Sequence, residues 1–138
     1  MKGKKQIVSM LVLVLLLVSS ACFVYANPSA ITFEIVPGVN IRFKNEINTG
    51  RLSSYAETHS SDLTTQTYVN ATFYYVDYEN EHFGTVNKSQ GHDGGSQVNV
   101  GPNTFPNITE YYYQVVSNHT VTHNGITTST NNLTSYAP

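Results

Sequence analysis

Cysteine and tryptophan are the residues that this sequence most lacks. Its 138 residues contain no tryptophan and one cysteine, Cys22. One cysteine cannot close an intrachain disulfide, and Cys22 lies in an N-terminal stretch that we expect to be removed. The remaining chain then has no thiol nucleophile, no thiolate metal site and no covalent cross-link. We expect side-chain packing and the hydrogen bonds of a sheet to stabilise it.

Positive charge is also scarce. Seven residues are Lys or Arg and nine are Asp or Glu. Because Lys2, Lys4 and Lys5 stand at the very start, four basic residues remain against nine acidic ones. A chain with this balance repels nucleic acids and anionic membranes. We therefore expect no nucleic-acid partner, and the residue types indicate no cofactor.

The start of the chain has the pattern of an export signal. A basic stretch precedes the apolar run Met10–Val18, and Val24–Ala26 ends in a small residue of the kind that signal peptidase prefers. This pattern predicts a cleaved signal helix over residues 1–26, of the type seen in Gram-positive bacteria. The mature domain, residues 27–138, would be secreted and extracellular, with no stable membrane span.

Two alternatives to simple secretion stay open. A retained membrane anchor needs about 20 apolar residues, more than the run in this signal provides. The segment Ser19–Cys22 loosely resembles a lipobox, in which Cys22 would carry a lipid anchor.

The composition after residue 26 favours strands over helices. This part has ten valines, six isoleucines and nine tyrosines, but only three leucines. Valine, isoleucine, threonine and tyrosine fit the half-buried surface of a sheet. Disorder is the rival interpretation, because Thr, Asn and Ser are abundant, but the aromatic residues and the regular alternation argue against it. We predict a single all-β domain, a small antiparallel β-sandwich of roughly seven or eight short strands.

Turn residues and alternation place the main strands. Pro37–Gly38 and Asn124–Gly125 predict tight turns that join hairpin strands. Alternation over Tyr68–Tyr78 puts Tyr68, Tyr74 and Tyr78 on one face and the more apolar set, with Phe73, on the core side. The second Tyr-rich segment, 111–121, is the expected partner of the first. Four segments are expected to be irregular: Asn45–Gly50, Ser89–Ser96, Gly101–Pro106 and a frayed tail at Asn131–Pro138.

The histidines are the first candidates for chemistry, because histidine is the usual metal ligand and acid–base group. His119 and His123 share one face of a strand, but lie about 13 Å apart, too far to share an ion. We expect both to be exposed cross-strand polar residues.

An acidic segment offers weak candidates for a calcium site. Asp77, Glu79 and Glu81 alternate beside His82. Calcium needs several oxygen ligands, and alternate strand residues are about 6.6 Å apart, which is wide for shared ligation. We therefore predict a solvated turn and no metal site.

The glycine-rich segment Gln90–Ser96 contains His92, Asp93 and Ser96 together. The members of a catalytic triad normally converge from separate segments. This segment is also not a P-loop or a dinucleotide-binding motif. We interpret it as a flexible hairpin loop and predict no catalytic residue.

Tyrosine provides the best candidate binding surface. Tyr74, Tyr78, Tyr111 and Tyr113 fall on the two long Tyr-rich segments. A strip of tyrosines binds sugars, peptides or cell-wall polymers, because each ring is flat and apolar and carries a hydroxyl. Ordinary cross-strand packing is the alternative.

Five Asn-X-Ser/Thr sequons occur in the mature part. A chain rich in Thr, Asn and Ser produces them by chance, and the signal is bacterial in type, so we interpret them as accidental. They begin at Asn70, Asn87, Asn107, Asn118 and Asn132.

Two short segments, Arg51–Tyr55 and Ser117–Val121, resemble segments of a known family in their general character. With the export signal and the cysteine-free, Ser-, Thr- and Tyr-rich mature part, the chain resembles the lactococcin 972-type secreted bacteriocins. The resemblance implies a β-sandwich that interferes with cell-wall synthesis, and it carries over no residue role. The mature chain departs from that family in lacking tryptophan and in being longer and more acidic.

The sequence thus predicts a non-catalytic extracellular binding protein, whose partner is a cell-wall polymer or another protein. A bacteriocin-like antimicrobial or toxin that acts on the cell envelope is the first alternative. A small secreted hydrolase is the second. The oligomeric state stays open.

Overall fold

The computed structural model describes residues 29–102 and 110–137. This part is all-β and contains no helix, which confirms the predicted fold class. The predicted signal helix over residues 1–26 lies outside the described residues, as does most of the predicted irregular crossing at 101–106. Eight strands form: β1 (Ser29–Val36), β2 (Val39–Ile47), β3 (Ser54–Ser60), β4 (Gln66–Asp77), β5 (His82–Asp93), β6 (Gly95–Val100), β7 (Glu110–His123) and β8 (Ile126–Tyr136).

The strands make two four-stranded antiparallel sheets that pack face to face. The first sheet has the order β1-β2-β3-β6 and the second has the order β5-β4-β7-β8. The chain passes from the second sheet to the first at Gly94, whose φ of +77° suits glycine. Strands β5 and β6 are therefore neighbouring edges of different sheets.

Both predicted hairpin turns are present. Gly38 joins β1 to β2 with a φ of +84°, which fits the second central position of a type II turn. Asn124 and Gly125 join β7 to β8 with φ values of +48° and +81°. Two positive φ angles in a two-residue hairpin define the type I′ turn that Asn-Gly predicts.

The two Tyr-rich strands pair with each other, as predicted. Strand β4 pairs along its whole length with β7, so these two strands form the centre of the second sheet. The core face of β4 is also as predicted, since Val69, Ala71 and Phe73 are buried. Their outward neighbours, from Tyr68 to Tyr74, make the outer face of the second sheet.

Two apolar clusters fill the space between the sheets. One is built around Phe73, Val115 and Tyr112 and faces Val98 and Val100 of β6. The other contains Ile41 and Phe43 of β2, with Val121 and Leu133 of the second sheet, and Phe33 packs against it. The rings of Phe33 and Phe43 meet edge to face at 5.3 Å. Burial of these side chains supplies the main driving force for folding.

Three segments predicted to be irregular lie partly or largely in strands, while residues 48–50 lie outside any strand, as predicted for the loop Asn45–Gly50. Strand β2 extends to Ile47, and its residue Asn45 is fully buried. Most of the glycine-rich segment lies in β5. It was not predicted as a strand because an edge strand that is exposed to solvent on both faces needs no apolar alternation. The predicted frayed tail is wrong for residues 131–136, which belong to β8 and bury Leu133 and Ser135. Pro138 lies outside the described residues.

Candidate functional site

A group of polar side chains lies between the two sheets, where the sequence predicted none. We call Asn45, Thr58, Ser117 and His119 the inter-sheet polar cluster. Each of them is at most 1% exposed. Asn45 and Thr58 come from the first sheet, and Ser117 and His119 come from β7 in the second. The prediction that His119 is exposed is therefore wrong.

Hydrogen bonds satisfy both nitrogens of the buried imidazole. Nδ1 of His119 lies 2.9 Å from Oγ1 of Thr58, and Nε2 lies 2.6 Å from Oγ of Ser117. Asn45 lies beside them and donates from its amide to the carbonyl oxygen of Leu133 at 2.5 Å. The ring of Phe43 stacks on the imidazole at 5.1 Å. Burial lowers the pKa of His119 to about 4, so the ring is neutral at pH 7.

The inter-sheet polar cluster has the residue types of a catalytic site but lacks access. A serine hydroxyl bonded to a histidine that is oriented by a third residue is the arrangement of a hydrolase triad. Ser117 is 1% exposed and His119 is 0% exposed, so no substrate reaches them in this fold. Because the hydrogen bonds run from one sheet to the other, the cluster fixes how the sheets align.

The second histidine predicted to be exposed is also buried. His123 is 6% exposed, and its Nδ1 lies 2.9 Å from Oγ1 of Thr65, a residue that is fully buried. Its Nε2 lies 3.0 Å from the amide of Asn124 in the hairpin turn. Both histidines share the inner face of β7, as their spacing requires, and that face is the core face.

Aromatic side chains collect at one end of the second sheet, on its outer face. Phe83, Val76 and Tyr111 are direct cross-strand partners on β5, β4 and β7, so they share that face. Tyr74 has the same parity as Val76, and Tyr78 follows in the adjoining turn. We call this set the aromatic patch: Tyr74, Val76, Tyr78, Phe83, Tyr111 and Tyr113.

Ring contacts hold the aromatic patch together. Tyr74 and Tyr113 have ring centroids 6.3 Å apart, and Phe83 and Tyr113 have theirs 6.4 Å apart. Tyr78 and Tyr111 pair at 5.3 Å. All four tyrosines proposed from the sequence thus lie together, as two ring pairs. Phe83 remains 71% exposed and Tyr78 63% exposed, so the patch presents open ring surface to solvent.

A β-bulge places Tyr113 in the aromatic patch. Tyr74 pairs with Gln114 and Tyr75 pairs with Tyr112, which leaves Tyr113 as the extra residue on β7. A bulge redirects side chains and increases the local twist. Here it allows Tyr113 and Gln114 to lie on the outer face in succession.

Two members of the aromatic patch were not proposed from the sequence. Alternation placed Val76 on the face of Tyr74, but gave no sign that it would be buried, as it is at 8% exposure. Phe83 sits on β5, an edge strand that is mostly polar and exposed, so alternation does not assign Phe83 to a face. The register of β5 against β4 brings Phe83 beside Val76, and that register depends on contacts between strands and not on the local sequence.

The weak metal candidates form a turn. Oδ1 of Asp77 accepts hydrogen bonds from the backbone amides of Glu79 at 3.1 Å and Asn80 at 3.3 Å. The Asp77 carboxylate therefore caps the turn, and Glu81 and His82 are exposed beside it. Within residues 29–102 and 110–137, no three His, Cys, Asp or Glu side chains are placed to hold a metal ion.

The glycine-rich segment does not assemble its polar residues into a site. Ser96 is buried, and its Oγ accepts a hydrogen bond from Thr67 at 3.1 Å. Nδ1 of His92 lies 2.8 Å from the backbone oxygen of Asp93. The segment is split between two sheets at Gly94, so the predicted hairpin loop is wrong.

An open groove of about 400 Å³ lies between the edge strands β5 and β6. Its lining is polar, and its one charged side chain, Lys88, donates to the backbone oxygen of Asn99 at 2.6 Å. Because this ammonium already joins the two walls, the groove offers less recognition chemistry than the aromatic patch. Among the described residues, no helix has the length and apolar character required to cross a membrane.

Comparison with known proteins identified no relative. The chain matches no protein-family model, no curated protein and no solved structure.

Proposed function

We propose that this protein is a non-catalytic extracellular binding protein that holds its partner on the aromatic patch. The observation that carries the proposal is the exposure of Phe83 and Tyr78 within the aromatic patch, where Phe83 contacts Tyr113 and Tyr78 contacts Tyr111. Large aromatic side chains with open ring faces cost free energy in water and mark contact surfaces. Tyrosine adds a hydroxyl that bonds a polar partner.

Two further features support this role. The residue types of an acyl-transfer triad occur in the inter-sheet polar cluster, where they are sealed from solvent. The basic and apolar pattern of residues 1–26 favours export, and an exported β-sandwich meets the cell wall first. We therefore place the partner among insoluble envelope or extracellular polymers.

A retention assay on insoluble polymers tests the proposal. Purified protein is mixed with bacterial cell walls, chitin and cellulose, and the unbound fraction is measured after centrifugation. Retention on at least one polymer is expected, and Tyr113→Ala or Tyr74→Ala is expected to weaken it by about tenfold, which is 1.4 kcal/mol. Tyr55→Ala removes a ring from the outer face of the first sheet and is the matched control.

Three results would contradict the proposal. Retention that Tyr113→Ala leaves unchanged would place the binding surface elsewhere. Release of soluble sugar from the polymer would favour a hydrolase. Growth inhibition of related bacteria, undiminished in the Tyr113→Ala protein, would favour an antimicrobial action that does not use the patch.

A further inference from the structure

The outer face of the second sheet continues beyond the aromatic patch without a charged residue on its two central strands. Three rows cross β4 and β7 there, each made of direct cross-strand partners. We call them the uncharged rows, and their members are Tyr68 with Thr120, Asn70 with Asn118, and Thr72 with Val116. Asn70 and Asn118 are exposed, and Tyr68 is 43% exposed.

The nearest charges border these rows without entering them. Asp93 is the partner of Gln66 on the edge strand β5, so it lies on the same outer face, one row beyond Tyr68. Lys88 pairs with Ala71, which is buried, so the Lys88 side chain has inward parity and reaches Asn99 in the first sheet. An anionic ligand laid on the uncharged rows would lose hydration without gaining a partner of opposite charge.

Hydroxyl and amide groups suit a ligand of the opposite kind. Threonine hydroxyls, tyrosine hydroxyls and asparagine amides both donate and accept hydrogen bonds. The Thr72 hydroxyl already donates to Oδ1 of Asn87 at 2.6 Å, so towards a ligand it acts as an acceptor. A polymer of neutral sugars offers the same mixture of donors and acceptors, together with apolar ring faces. The aromatic patch supplies stacking partners for those faces at one end, and Tyr68 supplies one at the other.

A protein partner fits these rows less well. The centre of a protein interface is apolar and well packed. Val116 is the one aliphatic side chain in the uncharged rows, and it is half-buried. The backbone of β4 and β7 is paired on both sides, so a peptide cannot add to it as a further strand.

The dimensions suit a chain rather than a single sugar. Ten steps of about 3.3 Å separate Gln66 from Val76, so the outer face is roughly 33 Å long, with a gentle twist. The uncharged rows and the aromatic patch are continuous through Tyr74, which lies one row from Thr72 along β4.

We propose that the uncharged rows and the aromatic patch form one binding face for an uncharged polysaccharide, laid along β4 and β7. This inference rests on the proposed function and specifies its ligand class. Recognition uses ring stacking at the patch and hydrogen bonds to amides and hydroxyls along the rows. Ionic strength then has little influence on the affinity, because no charge pair forms.

Binding isotherms on chitin and cellulose, which are uncharged, and on anionic cell walls carrying teichoic acid test this inference. Asn118→Asp places a carboxylate in the middle row, and Asn40→Asp places one on the outer face of the first sheet as a matched control. Asn118→Asp is expected to weaken binding to a neutral polymer by about tenfold. Asn40→Asp and a rise in salt from 0.05 to 0.5 M, values on either side of physiological ionic strength, are expected to change it less than about twofold.

The outcomes separate this inference from the proposed function. Retention on anionic walls alone, lost in Tyr113→Ala and in high salt, would overturn the neutral ligand but keep the patch as the binding surface. Binding to a neutral polymer that needs Tyr113 but ignores Asn118→Asp would overturn the uncharged rows. Binding that ignores Tyr113→Ala on every polymer, or a dimer formed through this face that excludes polymer, would overturn both. An unchanged urea midpoint for Asn118→Asp shows that its effect is not unfolding.

Discussion

The two outer faces of this sandwich are built on the same pleat but carry opposite chemistry. On the first sheet, Arg42 lies 2.5 Å from Glu57, and Lys44 lies 2.5 Å from Glu46. Tyr55 lies among these charges and donates to Glu46 at 2.8 Å. The central strands of the second sheet present asparagine, threonine and tyrosine instead. The first face is therefore well suited to water, and the second is suited to a neutral surface.

This contrast arises from alternate residues on single strands. Strand β2 places Arg42, Lys44 and Glu46 outward, and each is charged. Strand β4 places Tyr68–Tyr74 outward at every second position, and none is charged. Because both faces cover the same buried core, the difference between them is not required by the fold. We infer that it reflects what each face contacts.

The largest effect is expected from a substitution in the inter-sheet polar cluster, which lies between the two sheets. His119→Ala removes a buried ring and its hydrogen bonds to Thr58 and Ser117, so it should lower the free energy of unfolding by about 3–5 kcal/mol. His59→Ala changes an exposed histidine on the outer face of the first sheet and should cost less than about 0.5 kcal/mol. Urea denaturation at pH 7.5, about one unit above the ordinary pKa of histidine, measures both. Equal effects would contradict the role of the inter-sheet polar cluster.

As the pH falls, protonation should weaken the inter-sheet polar cluster before it affects the ion pairs on the outer face of the first sheet. The pKa of His119 is about 4 in the folded protein and 6.5 in its ordinary state. Between these values the unfolded chain binds the additional proton, so stability is complete above pH 6.5 and falls until pH 4. The loss should be on the order of 3 kcal/mol, at 1.36 kcal/mol per pKa unit.

Denaturation midpoints across this pH range test the assignment, with His119→Gln as the comparison. The glutamine variant is less stable, but its stability should depend less on pH between 6.5 and 4. The carboxylate of Glu46 acts at lower pH, because the hydrogen bond from Lys44 lowers its pKa below 4.5. An identical slope in both proteins would show that another group carries the acid sensitivity.

A moderate effect is expected beneath the aromatic patch. Val76 is 8% exposed on a face that is otherwise open, so Val76→Ala should cost about 1–2 kcal/mol in unfolding free energy. Val116→Ala, on the same face and half-buried, is the matched control and should cost less. Thermal denaturation compares the two variants. A larger loss for Val116→Ala would mean that the aromatic patch does not pack as described.

The smallest effect is expected from a substitution in the ion pairs on the outer face of the first sheet. Arg42→Gln breaks the ion pair with Glu57, which holds the pKa of Arg42 above its ordinary value. Because this pair is partly exposed, the cost should be below about 1 kcal/mol and should shrink in high salt. Polymer retention should not change. Loss of retention would contradict the assignment of binding to the second sheet.

Local patterns predicted the parts of the fold that depend on neighbouring residues. The turns at Gly38 and Asn124–Gly125 follow from turn chemistry, and the core face of β4 follows from alternation. The pairing of β4 with β7 joins segments far apart in the chain, and it was predicted from the similarity of the two Tyr-rich segments. This pairing brings the four proposed tyrosines together. Strand β8, in contrast, is made mostly of threonine, asparagine and serine, and long-range contacts order it: its pairing with β7 and the packing of Leu133 against the first sheet.

The inter-sheet polar cluster could not be predicted in this way. Two partners of His119 lie far from it along the chain, Thr58 at a separation of 61 residues and Asn45 at a separation of 74. A polar residue on an amphipathic strand is expected to face water unless its buried partners are known. Phe83 was missed for a similar reason, because only the register of β5 against β4 brings it to the aromatic patch.

The most direct test is to map which face a neutral sugar chain covers. Backbone and side-chain NMR signals of the protein would be followed during titration with soluble chitin oligosaccharides. The largest shifts are expected at Asn70, Asn118 and Tyr113, with the signals of Arg42 and Tyr55 unmoved. Shifts centred on the first sheet, or none with any neutral oligosaccharide while an anionic polymer perturbs the protein, would contradict the account.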